Sequence, residues 1–337
     1  MSYKRGMAAI KLQAPPEIPH TQYITHPAWL EHLRSKAGRP DAGFAELLDF
    51  DFVWHTDGPS DTGGRWTDMG HAVWQADGSD YRLPAESPFA DLEEIFRLDP
   101  FEEYRAVDHK RQAAKYQAWY DEARKGDWVV PGGLYRSVVS YAIAAFGWEN
   151  LLLAAGTDAE RFGEVLNRWA DYLMGYVEAW AATDIEVFNT HDDIVWTSGS
   201  VFSPAFYRTY VFPSYKRYWD CLKDAGKTIL YTSDGNFTDY VDDIAAAGAD
   251  GFIFEPVTDL AYVCQKYGRT HVIIGNADCR VLTYGSREDI RAEVKRCIDK
   301  GTNCPGFFFA VGNHIPPNVP IDSANACMEA YWQMRRR

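Results

Sequence analysis

Five short polar segments in the second half of the chain each follow an apolar run. Thr190-His191-Asp192-Asp193 follows residues 185–189, and Thr232-Ser233-Asp234-Gly235-Asn236 follows 228–231. Glu255-Pro256 follows 251–254, and Gly275-Asn276-Ala277-Asp278 follows 271–274. Gly312-Asn313-His314-Ile315-Pro316-Pro317 follows 306–311. These residue types suit acid/base work and cation binding. Asp192, Asp193, Asp234, Glu255 and Asp278 are too many carboxylates for one face unless protons, cations or hydrogen-bond donors offset their repulsion. His191 and His314 change charge near neutral pH. An Asp after a strand also serves as a helix cap, so each segment alone says little. The weight lies in five such segments falling in register. Asp234, His191, Asp193, Tyr231 and His314 are the candidate acid/base or orienting groups. Asn236, Glu255, Asn276, Asp278, Ser233 and Asn313 are the candidate substrate contacts. No H-x-x-x-H or C-x-x-C spacing is present, so no metal site is expected from local motifs.

The elements that must position these groups alternate. Apolar runs at 185–189, 228–231, 251–254, 271–274 and 306–311 read as buried parallel strands, continuously apolar rather than alternating. Helical patterns over 203–226, 238–247, 259–267, 287–300 and 321–335 separate or follow them. Ser203-Pro204 supplies an N-cap and a first-turn proline, and Ser286 with Asp289 forms a capping box. Upstream, helical patterns cover 26–37, 91–125, 134–154 and 158–182, with extended segments at 44–54 and 128–133. Polar residues end nearly every strand, rather than marking one switch point. That favours a (β/α)8 barrel, with its site on the C-terminal face, over an open doubly wound sheet. The expected organisation is one barrel domain over 1–337, with a polar N-terminal arm (1–25). A Gly/Asp/Pro-rich excursion over 57–90 serves as a lid or as a plain surface insertion.

Composition narrows the function. A net charge of −14 argues against nonspecific nucleic-acid binding and against a polybasic membrane anchor. The six cysteines all lie beyond residue 220 and form no disulfide framework. No apolar run approaches the ~20 residues of a membrane span, and the first residues lack a signal-peptide core, so a cytoplasmic protein is expected. No glycine-rich phosphate cradle follows any strand. Trp54, Trp66, Trp74, Trp128, Phe188 and Trp196 either pack the core or wall an apolar or cation-binding box.

The stretch from Asp192 to Pro317 resembles the uroporphyrinogen decarboxylase superfamily, which includes the corrinoid-protein methyltransferases. The resemblance rests on Asp192-Asp193-Ile194 with Ser203-Pro204, Tyr207 and Pro213. It continues through Tyr231 to Asn236, Glu255-Pro256, Gly275-Asn276-Ala277-Asp278 and the Gly312 to Pro317 turn. Gly70, Trp74 and Pro88 extend it more loosely. It implies a (β/α)8 barrel. The Arg-rich segment that grips substrate carboxylates in true decarboxylases has no counterpart, since Arg65 and Arg82 stand alone. The thiol-methylating branch binds zinc through a His-x-Cys pair and a later Cys, at positions matching Tyr231, Ser233 and Asn313. Those are poor zinc ligands, so no zinc is expected. The resemblance therefore implies methyl transfer between a methylcobalamin-type corrinoid, carried on a partner protein, and a small molecule. That molecule is either tetrahydrofolate or a methylated O- or N-compound. Uroporphyrinogen decarboxylation and a non-catalytic small-molecule-binding barrel are the alternatives. A homodimer is compatible with the family, although the sequence shows no interface.

Overall fold

The computed structural model describes residues 2–56, 62–67 and 87–337. The 57–90 excursion, with Gly70, Trp74 and Arg82, lies largely outside the described residues. Eight strands follow in chain order: β1 (Gly132–Leu134), β2 (Val187–His191), β3 (Val195–Trp196), β4 (Gly199–Ser200), β5 (Thr228–Ser233), β6 (Gly251–Phe254), β7 (Val272–Ile274) and β8 (Phe307–Phe308). β1, β2, β5, β6, β7 and β8 form one parallel sheet in that order, and β3 pairs with β4 in a separate antiparallel hairpin.

Two extended segments near the N-terminus close the gap between β8 and β1. Phe309 N donates to Pro19 O, and Thr21 N to Phe309 O. Asp51 N donates to His20 O, Val53 N to Val129 O, and Val129 N to Asp51 O. Parallel bridges join His20 to Phe309 and Phe52 to Val129. The sheet thus closes on itself as the expected (β/α)8 barrel, which leaves no exposed edge.

Side chains alternate across this wall as the pleat requires. Phe52, Val129, Val187, Leu230, Ile253, Val272, Ile274, Phe308 and Ala310 form the inner cluster. Their neighbours Phe188, Ile229, Tyr231, Phe252, Phe254 and Ile273 face outward into the larger core shared with the helices.

The first 25 residues are not an arm. Residues Ser2–Ile10 form a helix, and its Met7, Ala9 and Ile10 join the inner cluster. The helix therefore plugs the N-terminal end of the barrel. Arg5 reaches Asp51 at 2.7 Å, Asp49 at 2.9 Å and Glu17 at 3.2 Å, while Arg335 reaches Glu17 at 3.1 Å. Gly6 lies so close to the wall that a Cβ there would sit 2.4 Å from the Asp51 carbonyl oxygen. Gly→Ala normally strengthens a helix by about 1 kcal/mol. Here Gly6→Ala is expected to destabilise the fold by about 1–3 kcal/mol through overpacking. A urea melt showing a raised midpoint would contradict this.

Other boundaries shift for identifiable reasons. The pattern over 91–125 breaks into Leu92–Arg97, Pro100–Glu103 and His109–Ala123, each opened by an aspartate cap, namely Asp91, Asp99 and Asp108. Phe44–Leu47 is a short helix rather than the start of a strand. β2 begins two residues later than the sequence suggests, so His191 ends the strand instead of following it. One described helix, Val138–Thr157, is long and apolar enough to cross a membrane, against the expectation of no such run, and 67% of its most apolar window is buried within the protein. Gly147, at φ 74°, kinks it sharply, and the chain resumes with Trp148.

Candidate functional site

The strand ends meet at the C-terminal mouth of the barrel. Val187 faces the interior, so Asn189 and His191 share its row on β2. Leu230 faces the interior, so Thr232 shares its row on β5 and Asp234 continues it just past the strand end. The Thr232 hydroxyl donates to Asn189 Oδ1 at 2.8 Å and ties the two rows together. One layer higher, His191 Nε2 lies 3.1 Å from Asp193 Oδ1, which also accepts Asp234 N–H at 2.8 Å. Asn313 Nδ2 donates to Asp234 Oδ2 at 3.2 Å and to Glu255 Oε1 at 2.9 Å. Gly235 N–H donates to Glu255 Oε2 at 2.7 Å, and His314 Nδ1 lies 2.9 Å from Asn313 Oδ1. Side chains from four separate strand ends thus form one connected polar network. It floors an open cavity of about 600 Å³ lined by Trp148, Asp193, Trp196, Asp234 and Glu255, with Val195, Thr197, Ser198 and Gly235.

The charges are unequal by design of their surroundings. Burial alone would depress the His191 pKa, but the charge and hydrogen bond of Asp193, followed by Asp234 and Asp192, raise it from 6.5 to about 9. Burial works to raise Asp193, and the facing His191 more than offsets it, leaving that carboxyl below its usual value. Asp234 is pushed from 3.8 up to about 8, by burial first and then by the charges of Asp193 and Glu255, against the opposing pull of His191. The mouth therefore pairs an imidazolium with one carboxylate and keeps a second carboxyl protonated near neutrality. That is the arrangement of a general acid beside a fixed ion pair.

A stability signature follows. Between pH 6.5 and about 9 the folded chain holds a proton on His191 that the unfolded chain has released. Between pH 3.8 and about 8 the same is true of Asp234. Each held proton makes stability fall as pH rises, by up to about 1.4 kcal/mol per pH unit. Unfolding free energy is thus expected to drop from pH 6.5 to 9, and Asp193→Asn should flatten the upper part of that slope by removing the partner of His191. Urea melts across this range test it, and a wild-type stability that stays level would contradict it.

The fold does not bring every candidate to the mouth. Tyr231 points outward between β5 and the helix Phe212–Asp224, where its hydroxyl donates to Asp192 O at 2.9 Å. Ser233 is buried on the same outward row, with its hydroxyl turned to Asp234 O. Asn236 accepts from Thr238 N and Oγ1 in a local turn. Asn276 is fully buried, donating to Glu255 O and Thr258 O and accepting from Arg296. Asp278 caps the helix Cys279–Tyr284 and pairs with Arg280 at 2.7 Å. Asp192 is likewise structural. It accepts Val139 N–H and Ser140 N–H at the start of the helix Val138–Thr157, together with the Tyr215 hydroxyl at 2.6 Å.

Of the aromatic candidates, Trp196 lines the cavity, and Trp54 lies near Tyr23, which in turn contacts His314. Trp66 packs among Tyr104, Tyr141 and Trp169, Trp128 lines a groove with Tyr3 and Glu186, and Phe188 is core. Arg65 is bound by Glu94 and Glu103. Sequence reasoning missed Asn189, Thr232 and Trp148. The inward parity of β2 and β5 exposes the first two, while only the Gly147 kink brings Trp148 to the rim.

His191, Asp193 and Asp234 offer ligand atoms that all lie within 4.8 Å of one another, the one such group among the described residues. The set contains one imidazole, two carboxylates and no thiolate. These residues do not fit a zinc-thiolate centre. The positions matched to zinc ligands also move, because Thr232 and Asp234, rather than Tyr231 and Ser233, face the interior.

Comparison with known proteins accords with this architecture. The uroporphyrinogen decarboxylase (URO-D) family model matches residues 67–333. A uroporphyrinogen decarboxylase of Geobacter sulfurreducens is 27% identical over 213 residues, covering 61% of this chain and 60% of that protein. One from Xanthomonas axonopodis is 30% identical over 186 residues, covering 53% and 51%. One from Carboxydothermus hydrogenoformans is 27% identical over 175 residues, covering 52% and 48%. The chain thus spans about half to three-fifths of the length of these curated relatives. Among solved structures, a methyltransferase from Methanosarcina mazei shares the fold with a TM-score of 0.67 and 16% identity over 98% of each chain. With the family model running from residue 67 to residue 333, the chain belongs to the uroporphyrinogen decarboxylase family.

Proposed function

We propose that this family member is an enzyme that removes a methyl group from a small O- or N-methyl compound, or from a folate, held in the barrel mouth. The acceptor is a corrinoid carried on a separate protein. The observation that carries this reading is the buried Asp234 carboxyl beside the Asp193–His191 pair at the floor of a small cavity, where burial and the neighbouring carboxylates favour its protonated form. When a methyl group leaves an oxygen or nitrogen, that atom keeps the bonding electron pair, so an ether oxygen takes a proton as it departs, while a nitrogen leaves a quaternary ammonium as a neutral amine and takes one up only afterwards. Asp234 is positioned to supply it, and Asn313, itself held by Glu255, donates to its carboxyl. His191 and Asp193 keep a fixed dipole beneath the leaving atom. The corrinoid, when docked, supplies the nucleophile. A cavity of about 600 Å³ suits a small substrate, leaving the macrocycle to approach from outside the mouth.

The curated relatives named above are decarboxylases, but the same floor disfavours their polycarboxylate substrate. Asp193, Asp234 and Glu255 line the cavity, and no arginine does so among the described residues. Purified protein should convert a cob(I)alamin spectrum to that of methylcobalamin with methyl donors from a panel that includes methyltetrahydrofolate, methyl ethers and methylamines. Formation of coproporphyrinogen from uroporphyrinogen, with no cobalamin methylation, would overturn the proposal. So would tight ligand binding without turnover.

A further inference from the structure

Trp148 and Trp196 stand with ring centroids 5.6 Å apart over the carboxylate floor, and Trp196 keeps 45% of its surface exposed. Their placement is constrained. Trp148 follows the Gly147 kink, and the Trp196 backbone is clamped to the strand end that carries Asp234. Asn236 N–H donates to Trp196 O at 3.1 Å, and a Cβ on Gly235 would lie 2.8 Å from that carbonyl oxygen. An indole pair, Trp196 exposed and Trp148 partly buried, beside acidic groups gives a cation an aromatic face on one side and counter-charge on the other. A second feature lies one layer below the network, beneath the residues that line the cavity. Asn189 is fully buried on the inward row one step below His191, and its Nδ2 has no hydrogen-bond partner among the described residues. Thr232 occupies its Oδ1, which leaves a donor turned away from that contact.

Building on the methyl-transfer reading, we propose that the mouth recognises a small methylated ammonium compound with an oxygen acceptor at its far end. The cationic head lies between the Trp148–Trp196 pair and the carboxylates of Asp193 and Glu255, and the oxygen points toward Asn189. A divalent metal at His191, Asp193 and Asp234 is the competing occupant. The indoles give a metal nothing, and Asp193 already engages His191 Nε2.

Calorimetry on the full chain, with no corrinoid present, tests this. Choline and glycine betaine should bind, while 3,3-dimethylbutanol, the uncharged isostere of choline, should bind at least about tenfold more weakly. Trp196→Leu should cost about tenfold in affinity and Trp196→Phe little, with unchanged thermal melts, since this side chain is half exposed. Asn189→Ala should weaken betaine more than tetramethylammonium. Equal binding of choline and its neutral isostere overturns the inference, as does displacement of choline by zinc or manganese alone at micromolar concentration. Cation binding without methyl transfer to cobalamin would leave the inference standing and remove only the proposed reaction. Methyl transfer from neutral ethers with no cation preference would do the reverse.

Discussion

Asp234→Asn is expected to lower turnover by about 10²–10⁴-fold while leaving the fold intact. The substitution is nearly isosteric. An asparagine at this position can still accept from Asn313 Nδ2, and its backbone N–H still donates to Asp193. What it loses is a proton whose pKa, raised to about 8 by burial and by the neighbouring carboxylates, suits delivery near neutral pH. Substrate binding relies on groups that remain, so kcat should fall with little change in KM. The limb of the wild-type pH–rate profile near pH 8 should disappear with the carboxyl. Asp193→Asn makes a useful contrast. It frees His191 from its partner and should shift the profile toward lower pH, with a smaller loss of rate. An Asp234→Asn enzyme that keeps more than half of its activity would remove this residue from the proposed chemistry.

Arg5→Ala is expected to destabilise the protein by about 3–5 kcal/mol, the range for breaking a buried pair from one side. Asp51 is wholly buried at the base of the barrel, and Arg5 Nε lies 2.7 Å from its Oδ1. The second Asp51 oxygen accepts His20 N–H at 2.9 Å, so this one carboxylate ties the plug helix to both closing segments. Burial already pushes the Asp51 carboxyl up to about 7, so removing the guanidinium leaves it unpaired, to take up a proton, and loosens the seam between residues 18–21 and 50–53. Arg5→Lys should recover only part of the loss, because an ammonium cannot serve Asp51, Asp49 and Glu17 as a planar fork does. The double variant Arg5→Met/Asp51→Leu should be more stable than Arg5→Ala alone, since it leaves no unpaired buried charge. Urea denaturation decides, and a loss under about 1 kcal/mol for Arg5→Ala would show that solvent reaches Asp51.

Much of the architecture was written locally. Buried parallel strands need continuous apolar runs, and their helices need caps at set offsets. The 228–335 region carries both, so its alternation of strand and helix could be read without a structure. The register of polar segments after the strands followed from the same regularity, and it brought His191, Asp193, Asp234, Glu255, Asn313 and His314 to one end of the barrel. Of the closing segments, 50–53 reads as extended from its apolar residues, whereas 18–21 gives no such signal. Each makes only a few hydrogen bonds, and those are to strands far away in sequence, so nothing in the local pattern shows where they join the wall.

Which polar residues face the mouth was decided only in three dimensions. Side chains alternate along a strand, so the phase of β2 and β5, which continuously apolar runs do not reveal, decides interior from exterior. This turned Tyr231 and Ser233 outward while Asn189, Thr232 and Asp234 turned inward. Asp192 and Asp278 look like site carboxylates in sequence, yet Asp278 caps the helix that follows it, and Asp192 caps a helix start that only the folded chain brings within reach. Composition alone determined that the chain is acidic and able to build a large core. The tertiary structure decided which carboxyl keeps its proton, because that depends on burial and on charges contributed by separate strands.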